Sequence, residues 1–196
     1  MTRYLIVGNG VAGTTAAEQL RKQDAQGEII LITDEDLPFY WRIQLNDLIA
    51  GEIPEEKLLA KSKTWYDDNR IRPVLETRMT GADPQSRTLT SAGGETYAYD
   101  TLLLATGSHS FVPPIQGSDK DGVFTLRNVA DARSIRSRAE GIQEVVLIGG
   151  GLLGLEAGNA LRKLGKRVTV VEFFPRLLPR QLDEKGAAGL QSLMEG

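Results

Sequence analysis

The chain has 196 residues, of which 41% are hydrophobic and 25% are charged, and its formal net charge at pH 7 is −3. Such a composition is typical of a soluble globular protein, which we expect to be cytoplasmic. It contains no basic block and no apolar run of bilayer-spanning length, so we expect neither nucleic acid nor a membrane as partner. With no cysteine and one histidine, neither a disulfide nor a metal site is expected.

The N-terminal region predicts a strand–helix–strand unit. Residues 4–7 are all apolar, as in a strand that is buried on both faces of a parallel sheet. A glycine-rich turn follows, with the sequence Gly8-Asn9-Gly10-Val11-Ala12-Gly13. We then expect a helix over about 12–22 and a second buried strand over 29–33.

The middle of the chain predicts further elements and a domain boundary. We expect a loop and short helix over 37–51, a helix over 62–69, and strands and turns from 72 to 99. A third buried strand is predicted over 101–105. Pro113-Pro114 stiffens an extended crossover, which divides the chain into predicted domains 1–114 and 115–196.

The second domain repeats the first unit about 140 residues later. A helix is predicted over 133–139. A predicted strand over 145–148 then leads into a second glycine-rich turn, and a helix over 155–164 and a strand over 168–171 follow. The sequence of this turn is Gly149-Gly150-Gly151-Leu152-Leu153-Gly154. The fold class predicted by this repeat is α/β: a Rossmann-like doubly wound domain with a small antiparallel insertion, followed by the start of a second Rossmann-like domain.

Each turn matches the G-x-G-x-x-G fingerprint of dinucleotide binding. In the first turn Gly8 allows the tight exit from the strand, Gly10 lets a pyrophosphate approach the backbone, and Gly13 permits close helix–strand packing. The second fingerprint has the same glycines at Gly149, Gly151 and Gly154. A pyrophosphate bound there accepts from free N–H groups at the positive end of a helix.

An acidic residue ends the second strand of each unit, where it is expected to bind the hydroxyls of a ribose. These residues are Asp34, with Glu35 beside it, and Glu172. A carboxylate at Glu172 repels a 2′-phosphate and favours NADH over NADPH. The nearby Arg176 is an alternative phosphate partner, so NADPH stays open.

Two fingerprints in this order, with Ala105-Thr106-Gly107 between them, resemble the FAD-dependent pyridine nucleotide oxidoreductases over essentially all of the chain. Finer motifs resemble the branch that contains NADH:rubredoxin reductases and the flavin module of nitrite reductase large subunits. These motifs are Tyr40-x-Arg42-x-x-Leu45, Pro113-Pro114-Ile115-x-Gly117, Glu172-Phe173-x-Pro175 and Gln181-Leu182-Asp183.

The resemblance implies FAD at the first fingerprint and NAD(P)H, with NADH favoured, at the second. It implies positioning roles at the cofactors for Arg42 and Glu156, and adenine binding through the backbone of Met79. The implied FAD-binding residues are Gly8, Gly10, Val11, Ala12, Gly13, Asp34, Glu35, Arg42, Met79, Ala105, Thr106 and Gly107. The implied NAD(P)H-binding residues are Gly149, Gly151, Leu152, Leu153, Gly154 and Glu172.

The chain also departs from the wider family. Its disulfide reductases and peroxidases use cysteines after the second strand, whereas this chain has none, so a thiol relay is excluded for these residues. Many ferredoxin reductases have a lysine where this chain has Asp47. The family also continues well beyond residue 196, and we expect this chain to be the N-terminal fragment of a protein of about twice its length.

The resemblance implies an FAD-dependent NAD(P)H oxidoreductase. Hydride would pass from NADH to FAD, and electrons would leave singly to a protein or module with a metal centre: rubredoxin, ferredoxin, or a sirohaem and Fe–S module of nitrite reductase. An NADH oxidase or peroxidase, and a fragment that binds nucleotide without turnover, remain alternatives. The oligomeric state is not determined by the sequence, and a homodimer stays open.

Overall fold

The computed structural model describes residues 1–195, which form two compact units. The first unit contains residues 1–41 and 56–109, and the second contains residues 42–55 and the chain from residue 110 onward. Segment 42–55 therefore packs with the second unit, although it lies inside the predicted domain 1–114. The assignment of the two cofactors to domains 1–114 and 115–196 stays a prediction.

The first unit contains a parallel sheet of order β3-β2-β1-β7 and an antiparallel sheet of order β4-β5-β6. Parallel pairing aligns Leu5 with Ile30 and Leu102, so that the carboxyl ends of β1, β2 and β7 lie at the same edge. The elements are β1 (Arg3–Val7), α1 (Val11–Gln23), β2 (Glu28–Ile32), α3 (Lys63–Asp68), β3 (Ile71–Val74), β4 (Met79–Asp83), β5 (Thr88–Ser91), β6 (Thr96–Ala98) and β7 (Thr101–Leu104).

The apolar residues of β1 and β2 are largely buried, with successive side chains packed on alternate faces of the sheet. The prediction of a third buried strand is wrong for β7: it lies at the edge of the sheet, and Leu103 and Leu104 are 37% and 64% exposed. On one face Ile6 and Leu31, both inaccessible to solvent, pack with Tyr66. On the other face, Leu5 and Ile32 pack against side chains of the antiparallel sheet. This double burial fixes the edge of the sheet from which the first glycine-rich turn leaves.

Arg3 and Asp100 join the starts of β1 and β7. The Arg3 backbone N–H donates to the Asp100 carboxylate at 2.8 Å, and its guanidinium donates at 3.1 Å. The Asp100 backbone N–H donates back to the Arg3 carbonyl oxygen at 2.9 Å. The Arg3 guanidinium and the Arg3 backbone N–H lower the pKa of the Asp100 carboxyl from 3.8 to about 2.

We expect Asp100→Asn to lower the urea midpoint of unfolding at pH 7, because the ionised carboxylate is the form that Arg3 binds. The folded pKa is depressed, so this stabilisation is fully present above about pH 4 and is lost as the pH falls through about 2. The wild type and the variant should therefore converge below pH 2. The exposed Asp68 at the end of α3 provides the control, Asp68→Asn, and an equal effect of both variants would contradict the prediction.

The described part of the second unit contains a pair of parallel strands and four α-helices. Its elements are α2 (Leu45–Ala50), α4 (Val129–Glu140), β8 (Glu144–Ile148), α5 (Leu152–Lys163), β9 (Arg167–Val171) and α6 (Glu184–Glu195). Helix α5 packs on β8 at Gly158, where a Cβ atom would lie 2.4 Å from Leu147 Cδ1. Helix α4 begins with a capping box in which Asn128 and Asp131 each accept the other's backbone N–H.

The predicted α/β fold class is confirmed. The two predicted strand–turn–helix–strand units are present, with element bounds that differ from the predictions by a few residues. The largest difference is at α4, which begins at Val129 rather than at 133 because the capping box extends it. Within residues 1–195, no helix combines the length and apolar character needed to cross a bilayer.

Candidate cofactor sites

The first glycine-rich turn leaves β1 through a conformation that only glycine adopts easily. Gly8 has φ +112°, and its N–H donates to the Ile32 carbonyl oxygen at 2.7 Å. A Cβ at this position would lie 2.1 Å from the carbonyl oxygen of Ala105. The predicted Ala105-Thr106-Gly107 stretch therefore passes directly against the first glycine, just after the end of β7.

The N-terminus of α1 is arranged to receive an anion. Gly10 is the N-cap, no side chain in the described part of the chain caps this end, and a Cβ on Gly10 would meet nothing within 4 Å. Val11 is 62% exposed and Ala12 is exposed as well. The first N–H groups of a helix have no partner within it, so those of α1 face open space as pyrophosphate binding requires.

Gly13 lies on α1 where the helix packs closely against the first glycine of the turn. A Cβ on Gly13 would lie 1.9 Å from the carbonyl oxygen of Gly8. The helix can therefore approach β1 only without a side chain here, which agrees with the packing role predicted for the third glycine.

The two acids after β2 have different surroundings. Asp34 is exposed and lies 3.6 Å from the Arg78 guanidinium. Glu35 is half-buried, and its carboxylate accepts a short hydrogen bond from the Tyr40 hydroxyl. Because Tyr40 is buried, its hydrogen bond fixes the orientation of Glu35. The Asp34 carboxylate and its partner Arg78 are both exposed to solvent. Which acid binds the ribose stays a prediction, and this geometry favours Glu35.

A buried polar network lies beneath the first turn, and the sequence did not reveal it. The Asn9 side-chain oxygen accepts from the Thr14 hydroxyl at 2.9 Å and from the Tyr66 hydroxyl at 3.1 Å. Tyr66 accepts in turn from the Phe39 backbone N–H at 3.1 Å. All four residues are less than 8% exposed.

Met79 begins β4 and is half-buried against the core cluster that contains Leu5 and Ile32. It pairs with Ser91 at a register irregularity in the β4–β5 ladder. Its side chain therefore has a packing role, and adenine binding through its backbone stays a prediction.

The second turn repeats the first with one change. Gly149 has φ +103°, Gly151 is the N-cap of α5 with open space at its Cβ position, and no described side chain caps that helix. Leu152 and Leu153 are 52% and 69% exposed. Both turns therefore present uncapped helix N-termini behind an unobstructed second glycine.

The middle position of the second turn is Gly150 rather than asparagine. A Cβ there would lie 2.7 Å from Leu177 Cδ2, and its N–H donates to the Glu172 carboxylate at 2.5 Å. The other oxygen of Glu172 accepts from the Phe174 backbone N–H at 2.8 Å. The backbone donors Phe174 and Gly150 lower the pKa of Glu172, so this carboxylate carries its charge at neutral pH.

The structure shows the contacts of Arg176, which the sequence left open as a partner of a 2′-phosphate. Its guanidinium donates to the backbone oxygens of Pro179, at 3.1 Å, and Leu182, at 3.3 Å. These bonds hold residues 176–182 in a compact loop and orient the guanidinium toward the carbonyl oxygens of that loop.

Segment 42–55 brings the predicted Arg42 into the second unit and contacts the predicted Glu156 there. Arg42 begins a 3-10 turn, and its guanidinium donates to the Arg127 carbonyl oxygen at 3.0 Å. Asn46 on α2 donates through Nδ2 to the carboxylate of Glu156 on α5 at 3.2 Å. A neutral amide therefore binds Glu156. The cofactor roles predicted for Arg42 and Glu156 stay predictions.

Ion pairs attach the same segment to α4 and α5. Glu55 accepts from Arg133 at 2.7 Å, and Glu52 accepts from Lys163 at 2.6 Å. Arg136 donates to the Leu48 carbonyl oxygen at 3.1 Å. These contacts explain why α2 packs with the second unit.

Comparison with known proteins identifies the family. Residues 2–196 match the family described as pyridine nucleotide-disulphide oxidoreductase. The chain belongs to this family. It is 35% identical over 195 residues to the nitrite reductase (NADH) large subunit of Escherichia coli, covering 98% of this chain and 23% of that protein. It is 34% identical over 192 residues to the rubredoxin-NAD(+) reductase of Pseudomonas putida, covering 97% of this chain and 50% of that protein.

A solved structure agrees with the sequence relatives. The NADH:rubredoxin oxidoreductase of Clostridium acetobutylicum superposes with a TM-score of 0.87 at 30% identity, covering 99% of this chain and 50% of that one. The predicted resemblance to the nitrite reductase and rubredoxin reductase branch is thus confirmed. This chain spans half or less of the length of these relatives.

The family also bears on the cofactors. Its members bind FAD and NAD(P)H, which confirms the two cofactors predicted for a protein of this kind. The disulphide in the family name has no counterpart here, because the sequence contains no cysteine. Among residues 1–195, no group of three or more His, Asp or Glu side chains is arranged to hold a metal ion.

Proposed function

We propose that this chain binds FAD at the first glycine-rich turn and NADH at the second, and that it belongs to a reductase that passes electrons to a metal-centre protein or module. The observation that carries the proposal is the pair of uncapped helix N-termini, at Gly10 and Gly151, where a Cβ would meet nothing within 4 Å. A pyrophosphate fits each of these positions, because bare backbone N–H groups and a helix dipole face it.

In this proposal the residues bind and orient, and they perform no acid–base step. Bound FAD would supply the redox chemistry, taking two electrons from each NADH and delivering them singly to two acceptors. Arg42 and Glu156 would position the cofactors. The relatives named for nitrite and for rubredoxin support a metal-centre acceptor, and its identity is part of the proposal.

The electrostatics of the second site favour NADH over NADPH. Glu172 is held ionised by two backbone N–H groups, and Arg176 is bound to two carbonyl oxygens of its own loop. A 2′-phosphate at this site would therefore be repelled by the Glu172 carboxylate, while the Arg176 guanidinium is already oriented by its own loop.

The visible spectrum of the purified protein after addition of FAD and gel filtration tests the proposal. We expect flavin absorbance in near-stoichiometric ratio to protein, and bleaching by NADH without oxygen. Gly10→Ala is the matched variant: its methyl group has room in the fold but occupies the pyrophosphate position, so FAD affinity should fall at least about tenfold without loss of stability.

Other outcomes separate the alternatives. A protein that binds FAD and NADH but reduces no ferricyanide would be a nucleotide-binding module without turnover. Rapid formation of peroxide or water under air would indicate an oxidase, against which the lack of cysteine counts. A protein that remains colourless with excess FAD would contradict the proposal.

A further inference from the structure

We propose that Tyr66 and Thr14 are positioning residues for FAD, which act through Asn9 to hold the phosphate-binding turn in its binding conformation. This inference rests on the proposed function, since it assigns FAD to the first turn. The observation that carries it is the buried network of Asn9, Thr14, Tyr66 and Phe39.

The direction of each hydrogen bond follows from the donors available. The Phe39 backbone N–H can only donate, so it occupies a lone pair of the Tyr66 hydroxyl. The single proton of that hydroxyl then goes to Asn9, whose oxygen must be the acceptor. The side-chain amide of Asn9 therefore has a fixed orientation, with the Thr14 hydroxyl as second donor to the same oxygen.

This orientation has a cost in stability. Asn9 Nδ2 is buried and has no hydrogen-bond partner among residues 1–195, and a buried donor without a partner destabilises the folded state. The equivalent position of the second turn is Gly150, which avoids this cost. We therefore infer that Asn9 has a role in the turn that compensates for this loss of stability.

The turn contains two glycines that have no side chain to restrict them. Asn9 lies between Gly8, at φ +112°, and Gly10, at φ −96°, and glycine has more conformational freedom than any other residue. Two hydrogen bonds, from Thr14 and Tyr66, anchor the Asn9 side chain, and the bond from Phe39 fixes the Tyr66 hydroxyl. An anchored turn presents its N–H groups to a pyrophosphate without first having to be ordered, and this improves affinity.

Tyr66→Phe tests the proposal because it removes the donor to Asn9 and keeps the buried ring. We expect the Kd for FAD to rise about tenfold, as for loss of a buried hydrogen bond. We also expect the ³¹P NMR signals of the bound pyrophosphate to shift, because the change acts on the phosphate end of the cofactor. The affinity for NADH should stay unchanged.

Tyr97→Phe is the matched control, since it removes a hydroxyl of the same unit that donates to the exposed Glu95 at 2.9 Å, away from the first turn's buried network. Thr14→Val should also raise the Kd for FAD. Thr14→Ser, which keeps the hydroxyl, should leave the Kd close to the wild-type value. If Tyr66→Phe does not fold, the Thr14 pair decides.

The outcomes distinguish this inference from the function on which it rests. A wild-type protein that binds no FAD overturns the proposed function. A wild type that binds FAD, with folded Tyr66→Phe or Thr14→Val variants of equal affinity and identical ³¹P shifts, overturns the positioning role alone. Altered urea stability with unchanged FAD binding would give the network a purely structural role.

Discussion

Gly13→Ala is expected to destabilise the first unit by more than about 3 kcal/mol, at the upper end of single substitutions. The new Cβ would lie 1.9 Å from the carbonyl oxygen of Gly8. That oxygen cannot retreat easily, because Gly8 is held by its bond to Ile32 and is in close contact with Ala105. Urea unfolding followed by tryptophan fluorescence measures the effect, since Trp41 and Trp65 both lie in the first unit.

Gly154→Ala is the matched control at the same position of the second fingerprint. Its Cβ would lie 3.1 Å from the Gly149 carbonyl oxygen, and the Cβ position of Gly149 itself is open. A shift of a few tenths of an ångström relieves this contact, and alanine gains up to about 1 kcal/mol over glycine in a helix. We expect a net change near zero by circular dichroism. Equal losses in both variants would contradict the packing difference between the turns.

The features that could be predicted from the sequence are local ones. Each fingerprint contains its strand, turn and helix within about 30 residues, and the steric demand on Gly8, Gly10 and Gly13 follows from their spacing alone. Burial of β1 and β2 was equally accessible, because continuous apolar runs are typical of strands covered on both faces. The same reasoning was wrong for β7, an edge strand in which Leu104 is 64% exposed. These elements were therefore predicted with only small errors in their bounds.

Features that depend on distant partners could not be predicted. Asn9 and Tyr66 are 57 positions apart, and nothing near either residue in the sequence reveals their contact. The fingerprint allows any residue at the position of Gly150, yet a Cβ there would lie 2.7 Å from Leu177 Cδ2, a contact that the sequence does not reveal. The start of α4 was missed for another reason: Asn128 and Asp131 form a capping box with residues other than the usual Ser or Thr and Glu or Gln.

Segment 42–55 shows a further limit of local patterns. Leu45, Leu48 and Ile49 predict a short helix with one buried face, and the structure has that helix. The elements against which this segment packs, α4 and α5, also pair with it through Arg133 and Lys163, about 80 and 110 positions later in the chain. A linear domain boundary at residue 114 cannot represent this arrangement.

Glu172→Ala combined with Phe173→Arg is expected to change the preference between NADH and NADPH by about 100-fold or more. Loss of the carboxylate removes hydrogen bonds to the ribose hydroxyls, and a bond to a charged group contributes about 1.5–3 kcal/mol, or roughly 10- to 150-fold. The arginine supplies the cation that a 2′-phosphate needs. Phe173 is 93% exposed, so replacing it leaves the fold unchanged. The ratio of kcat/KM for the two nucleotides, or of their Kd values without turnover, measures the effect.

Single variants separate charge from geometry in this prediction. Glu172→Gln keeps one acceptor for the backbone N–H groups of Gly150 and Phe174 but removes the repulsion, so it should improve NADPH binding more than it weakens NADH binding. Glu144→Gln makes the same charge change at the opposite end of the β8–β9 pair, where Glu144 pairs with Arg167, and should leave the preference unaltered. Because the pKa of Glu172 is lowered, its carboxylate stays ionised from pH 6 to 8, and a change of the preference in this range should come from the 2′-phosphate, whose second pKa is about 6. A preference that moved equally in Glu172→Gln and Glu144→Gln would mean that Glu172 does not face the ribose.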